Sequence, residues 1–125
     1  MAPRSERLDA CAAGAFTLLV AWPFLRTDRW PTTLDTFTYS GPNLQVTFEA
    51  IRHGRLAGWN DAIYGGAPHL ANMHAAALYP IKWPFAWLDV HRAMLWLTAL
   101  HLVILAVGLH RLVRRQLGWA APAGA

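Results

Sequence analysis

AMLWLTALHLVILAVGLH, residues 93–110, contains no Asp, Glu, Lys or Arg and lies between Arg92 and Arg111. At 1.5 Å per residue, a helix over this run spans roughly 27 Å, close to the hydrocarbon thickness of a bilayer. A second uncharged run, ACAAGAFTLLVAWPFL at residues 10–25, spans roughly 24 Å as a helix. The two runs predict an all-α integral membrane protein with two transmembrane helices, 10–25 and 93–110.

The composition agrees with a membrane protein. Hydrophobic residues make up 55% of the 125 residues and charged residues only 14%, whereas soluble domains carry roughly 25% charged residues. Seven Trp are present, and Trp gathers at the headgroup level of membranes. The formal charge is +4, but the arginines are scattered or flank the apolar runs, which favours a lipid bilayer over nucleic acid as partner.

Basic residues at the outer ends of the two runs predict the orientation. Two arginines precede the first run and three follow the second, at positions 4, 7, 111, 114 and 115. By the positive-inside rule, residues 1–9 and the basic tail 111–125 are cytoplasmic and the loop 26–92 is extracytoplasmic. No small-x-small cleavage site follows the first run, so the sequence favours an uncleaved signal anchor over a cleaved signal peptide.

Two segments of the loop have patterns of their own. Residues 42–53 predict a short amphipathic helix on the membrane surface, with Leu44, Phe48 and Ile51 on one face and Gly54 suited to the C′ position. Residues 74–88, HAAALYPIKWPFAWL, are apolar but interrupted by two prolines and a lysine. This second segment therefore predicts a re-entrant or interfacial segment instead of a third span.

The histidines and the cysteine do not form a recognisable metal or redox motif. His69 and His74 are five residues apart, which places them on different sides of a helix, and no Cys or carboxylate cluster completes a zinc set. His101 and His110 are nine residues apart, which is two and a half helical turns. They therefore face different ways, which disfavours haem ligation. The single Cys11 excludes an intrachain disulfide. We predict no cofactor and no metal site, while a divalent metal ion stays compatible with the chemistry considered below.

A spaced series of residues in the loop carries the most specific signal. It runs through 54–80 as Gly54, Trp59-Asn60, Gly65-Gly66-Ala67-Pro68 and Tyr79-Pro80. In this order the series resembles the first extracytoplasmic loop of the YfhO family of bacterial multispanning membrane proteins, which are similar in plan to GT-C glycosyltransferases. The resemblance implies a multi-pass protein of the bacterial inner membrane that transfers a sugar from a polyprenyl-phosphate donor to a cell-envelope acceptor.

The resemblance also implies that this chain is the N-terminal portion of a longer protein and packs with further transmembrane helices. The small-residue tail from Gly118 to Ala125 is typical of the approach to another apolar helix. On this interpretation the chain is inactive alone, because such a site is enclosed by helices beyond the two predicted here. The alternative is a small two-span scaffold or assembly subunit without catalytic activity.

The resemblance places a catalytic carboxylate at Asp35, with Asp28 as the competing candidate. Transfer of a sugar to a hydroxyl needs a base near the membrane face to accept the hydroxyl proton. The other interpretation of Asp35 is a solvated loop carboxylate or a helix N-cap.

The substrate-binding hypothesis covers the aromatic and turn residues of the same loop. They are Trp59, Asn60, Tyr64, Gly65, Gly66, Pro68 and Tyr79. The aromatic residues would wall a sugar or lipid, and the turn would shape the pocket beside the carboxylate. Two alternatives stay open: the Gly-Gly turn serves only a close backbone approach, and the aromatic side chains are interfacial anchors.

Overall fold

The computed structural model describes residues 4–27 and 34–117, and they are mostly helical. The chain divides into two compact units. The first, named here the helix pair, comprises Met1–Arg26 and Thr98–Ala125; the second, the central unit, comprises Thr27–Leu97. Asp28 and the tail 118–125 lie outside the described residues.

Two long helices match the predicted spans. Helix α1 covers Arg4–Leu25 and helix α3 covers Val90–Leu117, and both are long and apolar enough to cross a membrane. Both exceed the predicted bounds of 10–25 and 93–110, because the charged residues beyond an apolar run still continue the backbone hydrogen bonds of the helix. The prediction of two candidate spans is confirmed at this level.

Small residues make the contact between α1 and the second half of α3. A methyl group added at Gly14 would lie 3.5 Å from Val103 Cγ1 and 3.6 Å from Val107 Cγ2. Towards the start of α1, Asp9 Oδ2 accepts a hydrogen bond of 2.6 Å from Arg114 Nη1. Earlier residues of α1 therefore contact later residues of α3, and the helices of the pair run antiparallel.

The large apolar side chains of the helix pair point away from this contact. They are exposed along both helices, as at Phe16, Leu19, Phe24, Leu105 and Leu109. The buried side chains are small, as at Ala10, Ala21 and Ala99. The helix pair thus presents an apolar surface that water solvates poorly.

Helix α2, Gly41–Arg52, confirms the predicted short helix and its end signal. Gly54 has a φ of +67°. Its N–H donates a hydrogen bond to the carbonyl of Ile51, and the N–H of Arg55 donates to the carbonyl of Ala50. This is a Schellman ending, which glycine permits at C′.

The helical chain begins before α2, which the sequence did not predict. A π-helix at Thr36–Ser40 runs directly into α2. Pro42 has no N–H and crowds the carbonyl four residues before it, so a regular α-helical turn is disfavoured there and the wider π-turn accommodates it.

The apolar face of α2 packs into a protein core, while the position of α2 relative to a membrane stays a prediction. The core consists of Leu44, Phe48, Ala86 and Ala93. The apolar residues of the 3₁₀ helix Pro80–Trp87 and of the first turns of α3 pack against the face of α2 and complete this core.

The interrupted segment 74–88 forms no spanning helix in the structure, as predicted. It contains turns and the 3₁₀ helix, whose two prolines remove two backbone donors. Arg52, at the end of α2, donates hydrogen bonds to the carbonyls of Ala86 and Leu88. These bonds fasten α2 to the end of the 3₁₀ helix.

The described residues also include two short strands, a small departure from the predicted all-α class. Strand β1, Trp59–Asn60, pairs antiparallel with β2, Ala67–Pro68. The turn residues between them close this pair.

Candidate functional site

Trp59 and Gly66 form a close contact at the hairpin. Trp59 pairs with Pro68 in register, and Gly66 has a φ of +115°. A Cβ at Gly66 would lie 2.8 Å from Trp59 Nε1, closer than real Cβ atoms approach a neighbour. The Gly-Gly turn therefore lets backbone lie directly against the indole, and a side chain at position 66 would displace it.

Amide side chains tie the hairpin to α2. Asn43 Oδ1, on α2, accepts hydrogen bonds from Asn60 Nδ2 at 3.5 Å and from Asn72 Nδ2 at 3.4 Å. Asn43 Nδ2 donates to the carbonyl of Tyr39 at 2.9 Å, and the Tyr39 hydroxyl donates to Asn72 Oδ1 at 3.2 Å. This network connects the hairpin to the helix, and it satisfies the buried amide of Asn43.

His69 is buried beneath the same network, with 1% of its surface exposed. The Thr47 hydroxyl donates to the carbonyl of Asn43 at 3.0 Å and lies 2.8 Å from His69 Nε2. A hydroxyl has one proton to donate, so His69 Nε2 carries the proton that Thr47 accepts. The Nδ1 atom is then an acceptor, and it has no hydrogen-bond partner among the described residues.

Burial disfavours the charged forms of two basic groups in the central unit. The pKa of His69 is lowered by burial and, secondly, by the positive charge of Lys82. Burial lowers the pKa of Lys82 to about 8. Only 5% of the Lys82 surface is exposed, and its ammonium group donates to the carbonyl of Ala75. His69 is therefore neutral at pH 7, while Lys82 keeps its charge at an energetic cost.

A cleft of about 280 Å³ opens beside the hairpin. Its lining includes Trp59 and three exposed charged residues, Glu49, Arg55 and Asp61. Its other lining residues are Val46, Ala50, Ala57, Asn60 and Ala62. The cleft therefore combines one aromatic surface with hydrogen-bonding groups of both charges.

The structure brings together four of the residues predicted to bind substrate. Trp59 and Asn60 line the cleft, Gly66 supports the indole, and Pro68 pairs with Trp59. Asn60 is buried, and its Oδ1 accepts the N–H of Ala62 at 2.9 Å. Asn60 therefore acts as a positioning residue, while Trp59 presents a surface to the cleft.

The other predicted residues lie elsewhere. Tyr64 is 86% exposed with a φ of +54°, beside Gly65, and does not line the cleft. Tyr79 precedes the 3₁₀ helix. Asp35 is exposed at the N-cap position of the π-helix, its side chain makes no cap hydrogen bond, and it is not among the described residues lining the cleft. The competing Asp28 lies outside the described residues.

Sequence reasoning missed the buried polar residues that surround and position the hairpin. Asn43 and Thr47 are four residues apart on a stripe of α2 beside the predicted apolar face, and this spacing was the available signal. The sequence marks Lys82 only as a break in an apolar segment. His69 lies in a turn and not in a helix, so the helical-spacing argument about His69 and His74 does not apply.

No group of three or more His, Cys, Asp or Glu that could hold a metal ion occurs within residues 4–27 and 34–117. No protein-family model, curated protein or solved structure matches the chain. The resemblance to the YfhO family therefore stays a prediction carried by the loop residues themselves.

Proposed function

We propose that α1 and α3 cross the bacterial inner membrane and hold the central unit on its outer face, with both termini cytoplasmic. The exposed apolar side chains of both helices support insertion, because a bilayer solvates such a surface and water does not. The antiparallel pairing supports a common side for the start of α1 and the end of α3. The flanking arginines favour the cytoplasm as that side.

We further propose that the chain belongs to a membrane enzyme that transfers a sugar from a polyprenyl-phosphate donor to a cell-envelope acceptor. The observation that carries this proposal is the convergence of Trp59, Asn60, Gly66 and Pro68 at one edge of a polar cleft. These residues belong to the series that resembles the YfhO loop. Further transmembrane helices of a longer protein would enclose the lipid part of the donor.

In this proposal Asp35 is the general base. Its carboxylate accepts the proton of the acceptor hydroxyl while the hydroxyl oxygen bonds to the anomeric carbon, and the bond from that carbon to the phosphate oxygen breaks. Polyprenyl phosphate leaves with the bonding electrons. The exposed carboxylate is free of a capping bond, which supports a role in proton transfer over a role as a helix cap.

The test measures the cellular pool of polyprenyl-phosphate sugars by mass spectrometry of lipid extracts, since this measurement detects any such lipid whichever sugar it carries. Deletion of the gene should raise one such lipid, and the wild-type gene should restore its level. Asp35→Asn, which keeps the shape and removes the base, should fail to restore it at normal membrane abundance, because general base catalysis contributes about 10² to 10⁴ in rate.

Two further variants make the test specific. Asp89→Asn is the matched control, because Asp89 accepts the N–H of Arg92 and asparagine caps a helix equally well. It should behave as wild type. If Asp28→Asn blocks restoration while Asp35→Asn restores, Asp35 is the wrong carboxylate. An unchanged lipid pool in the deletion strain would refute the transferase proposal and favour the scaffold.

A further inference from the structure

The cleft beside Trp59 contains three charged groups without ion-pair partners among the described residues. Glu49, Arg55 and Asp61 all line it and are exposed, and none forms an ion pair with another residue of the described ranges. Two carboxylates that accept and one guanidinium that donates thus surround a single opening. Such a set matches a ligand bearing hydroxyl groups, since a hydroxyl both donates and accepts.

Trp59 supplies the apolar element of the cleft. Gly66 supports its indole from the backbone, while 56% of the Trp59 surface stays exposed. An exposed indole held in a fixed position is a stacking surface whose side-chain entropy is already lost. A pyranose ring has an apolar C–H face suited to this surface and a hydroxyl rim suited to the charged groups.

The floor of the cleft is fixed before any ligand binds. Ala50, Ala57 and Asn60 are all buried. The Asn60 side chain is committed to Ala62 and Asn43, so it sets the shape of the floor and leaves direct ligand contacts to the rim. A volume of about 280 Å³ is close to the lower end of the range of roughly 300–1,000 Å³ for small-ligand sites, so the cleft has room for one sugar ring.

We infer that this cleft is a binding subsite for an uncharged pyranose, with Trp59 as the stacking surface and Glu49, Arg55 and Asp61 as hydrogen-bonding partners. The inference rests on the proposed function and specifies which part of its substrates lies here. Two carboxylates against one guanidinium repel a phosphate group, so the phosphate of the donor lies outside this cleft. The sugar comes from either the donor or the acceptor.

The experiment uses the full chain in lipid nanodiscs and saturation-transfer NMR. The probes are methyl glycosides of glucose, galactose, mannose and N-acetylglucosamine, with inorganic phosphate as the anionic competitor. At least one glycoside should bind, and phosphate should not displace it. Trp59→Ala should raise the Kd roughly tenfold, because an aromatic contact of about 1.4 kcal/mol corresponds to that factor.

Matched variants separate binding from folding. Trp59→Phe keeps an aromatic ring and should retain binding to within a few fold. Glu49→Gln with Asp61→Asn should weaken glycoside binding without loss of the fold, since both side chains are exposed. Trp87→Ala removes an exposed Trp that does not line the cleft and should leave binding unchanged.

Three results would overturn the subsite: no glycoside binds, Trp59→Ala binds as wild type, or phosphate displaces the glycoside. Competition with a short-chain isoprenyl phosphate sugar distinguishes whether the cleft binds the donor sugar or the acceptor sugar. Displacement of the glycoside identifies the donor sugar, and simultaneous binding identifies the acceptor sugar. If no glycoside binds but the lipid pool depends on Asp35, only the subsite is refuted. If a glycoside binds but the lipid pool is unchanged on deletion of the gene, only the transferase proposal is refuted.

Discussion

Among the described residues, the helix pair buries only small side chains, whereas the central unit also buries large and polar ones. In the helix pair, Ala10 and Ala21 are buried while Phe16 and Leu19 are exposed. In the central unit, Phe48 is fully buried in an apolar core, and Asn43 and Asn60 are buried as well. The helix pair thus leaves large apolar side chains exposed, whereas the central unit encloses the ring of Phe48.

The contrast is strongest at phenylalanine, which occurs in both surroundings. Phe48→Ala removes a fully buried ring and should lower the free energy of unfolding of the central unit by about 3–5 kcal/mol. Phe16→Ala removes a ring that is exposed on α1 and should change stability by less than about 0.5 kcal/mol. Thermal unfolding of both variants in nanodiscs measures the two changes. Equal losses of stability in the two variants would contradict the contrast.

The central unit also buries a basic group, Lys82, whose cost to stability depends on pH. The pKa of Lys82 is about 8 in the folded chain and near 10.5 when unfolded. Between these values the unfolded state binds more protons, so the Lys82 contribution to stability rises with pH, by about 3 kcal/mol in total. Below pH 8 both states are charged, and the cost is constant.

Lys82→Met removes this cost together with the hydrogen bond to the carbonyl of Ala75. At pH 7 we expect a net gain in stability of about 1–2 kcal/mol, since the lost bond to a charged donor offsets part of the gain. The advantage should disappear towards pH 10. Thermal unfolding at both pH values measures it, and a variant that is less stable by the same amount at both would refute the predicted burial cost.

Two glycines test the small-residue contact of the helix pair. Gly14→Leu places a long side chain where even a methyl group would meet Val103 and Val107, so it should destabilise the pair by about 1–3 kcal/mol. Gly108→Leu is the control, because nothing lies within 4 Å of a Cβ there. Thermal unfolding in nanodiscs should show a loss of stability for Gly14→Leu and none for Gly108→Leu. If Gly14→Leu is as stable as wild type, the helices do not contact each other at Gly14.

Local patterns in the sequence predicted the local structure well. The end of α2 at Gly54 follows from glycine's access to positive φ, and the two long helices follow from uninterrupted apolar runs. The amphipathic face of α2 was recognised, but the protein segments that pack against it were not. Periodicity identifies an apolar face and carries no information about what covers it.

The candidate site depended on contacts that are distant in sequence. Thr47 and His69 are separated by 22 residues, and Asn43 and Asn72 by 29. No local spacing rule reports such pairings, because they depend on how the hairpin settles on α2. Trp59 and Gly66 were recognised through the family-like series, whereas their direct contact required the structure.

Labelling of single cysteines tests most directly whether the chain crosses a membrane with the central unit outside. In a Cys11→Ser background, Met73→Cys reports on the central unit and Gln116→Cys on the end of α3, since both side chains are exposed. In intact spheroplasts a membrane-impermeant maleimide should label Met73→Cys, and it should label Gln116→Cys only after permeabilisation. Protection of Met73→Cys until permeabilisation, or labelling of both positions in intact spheroplasts, would contradict this arrangement.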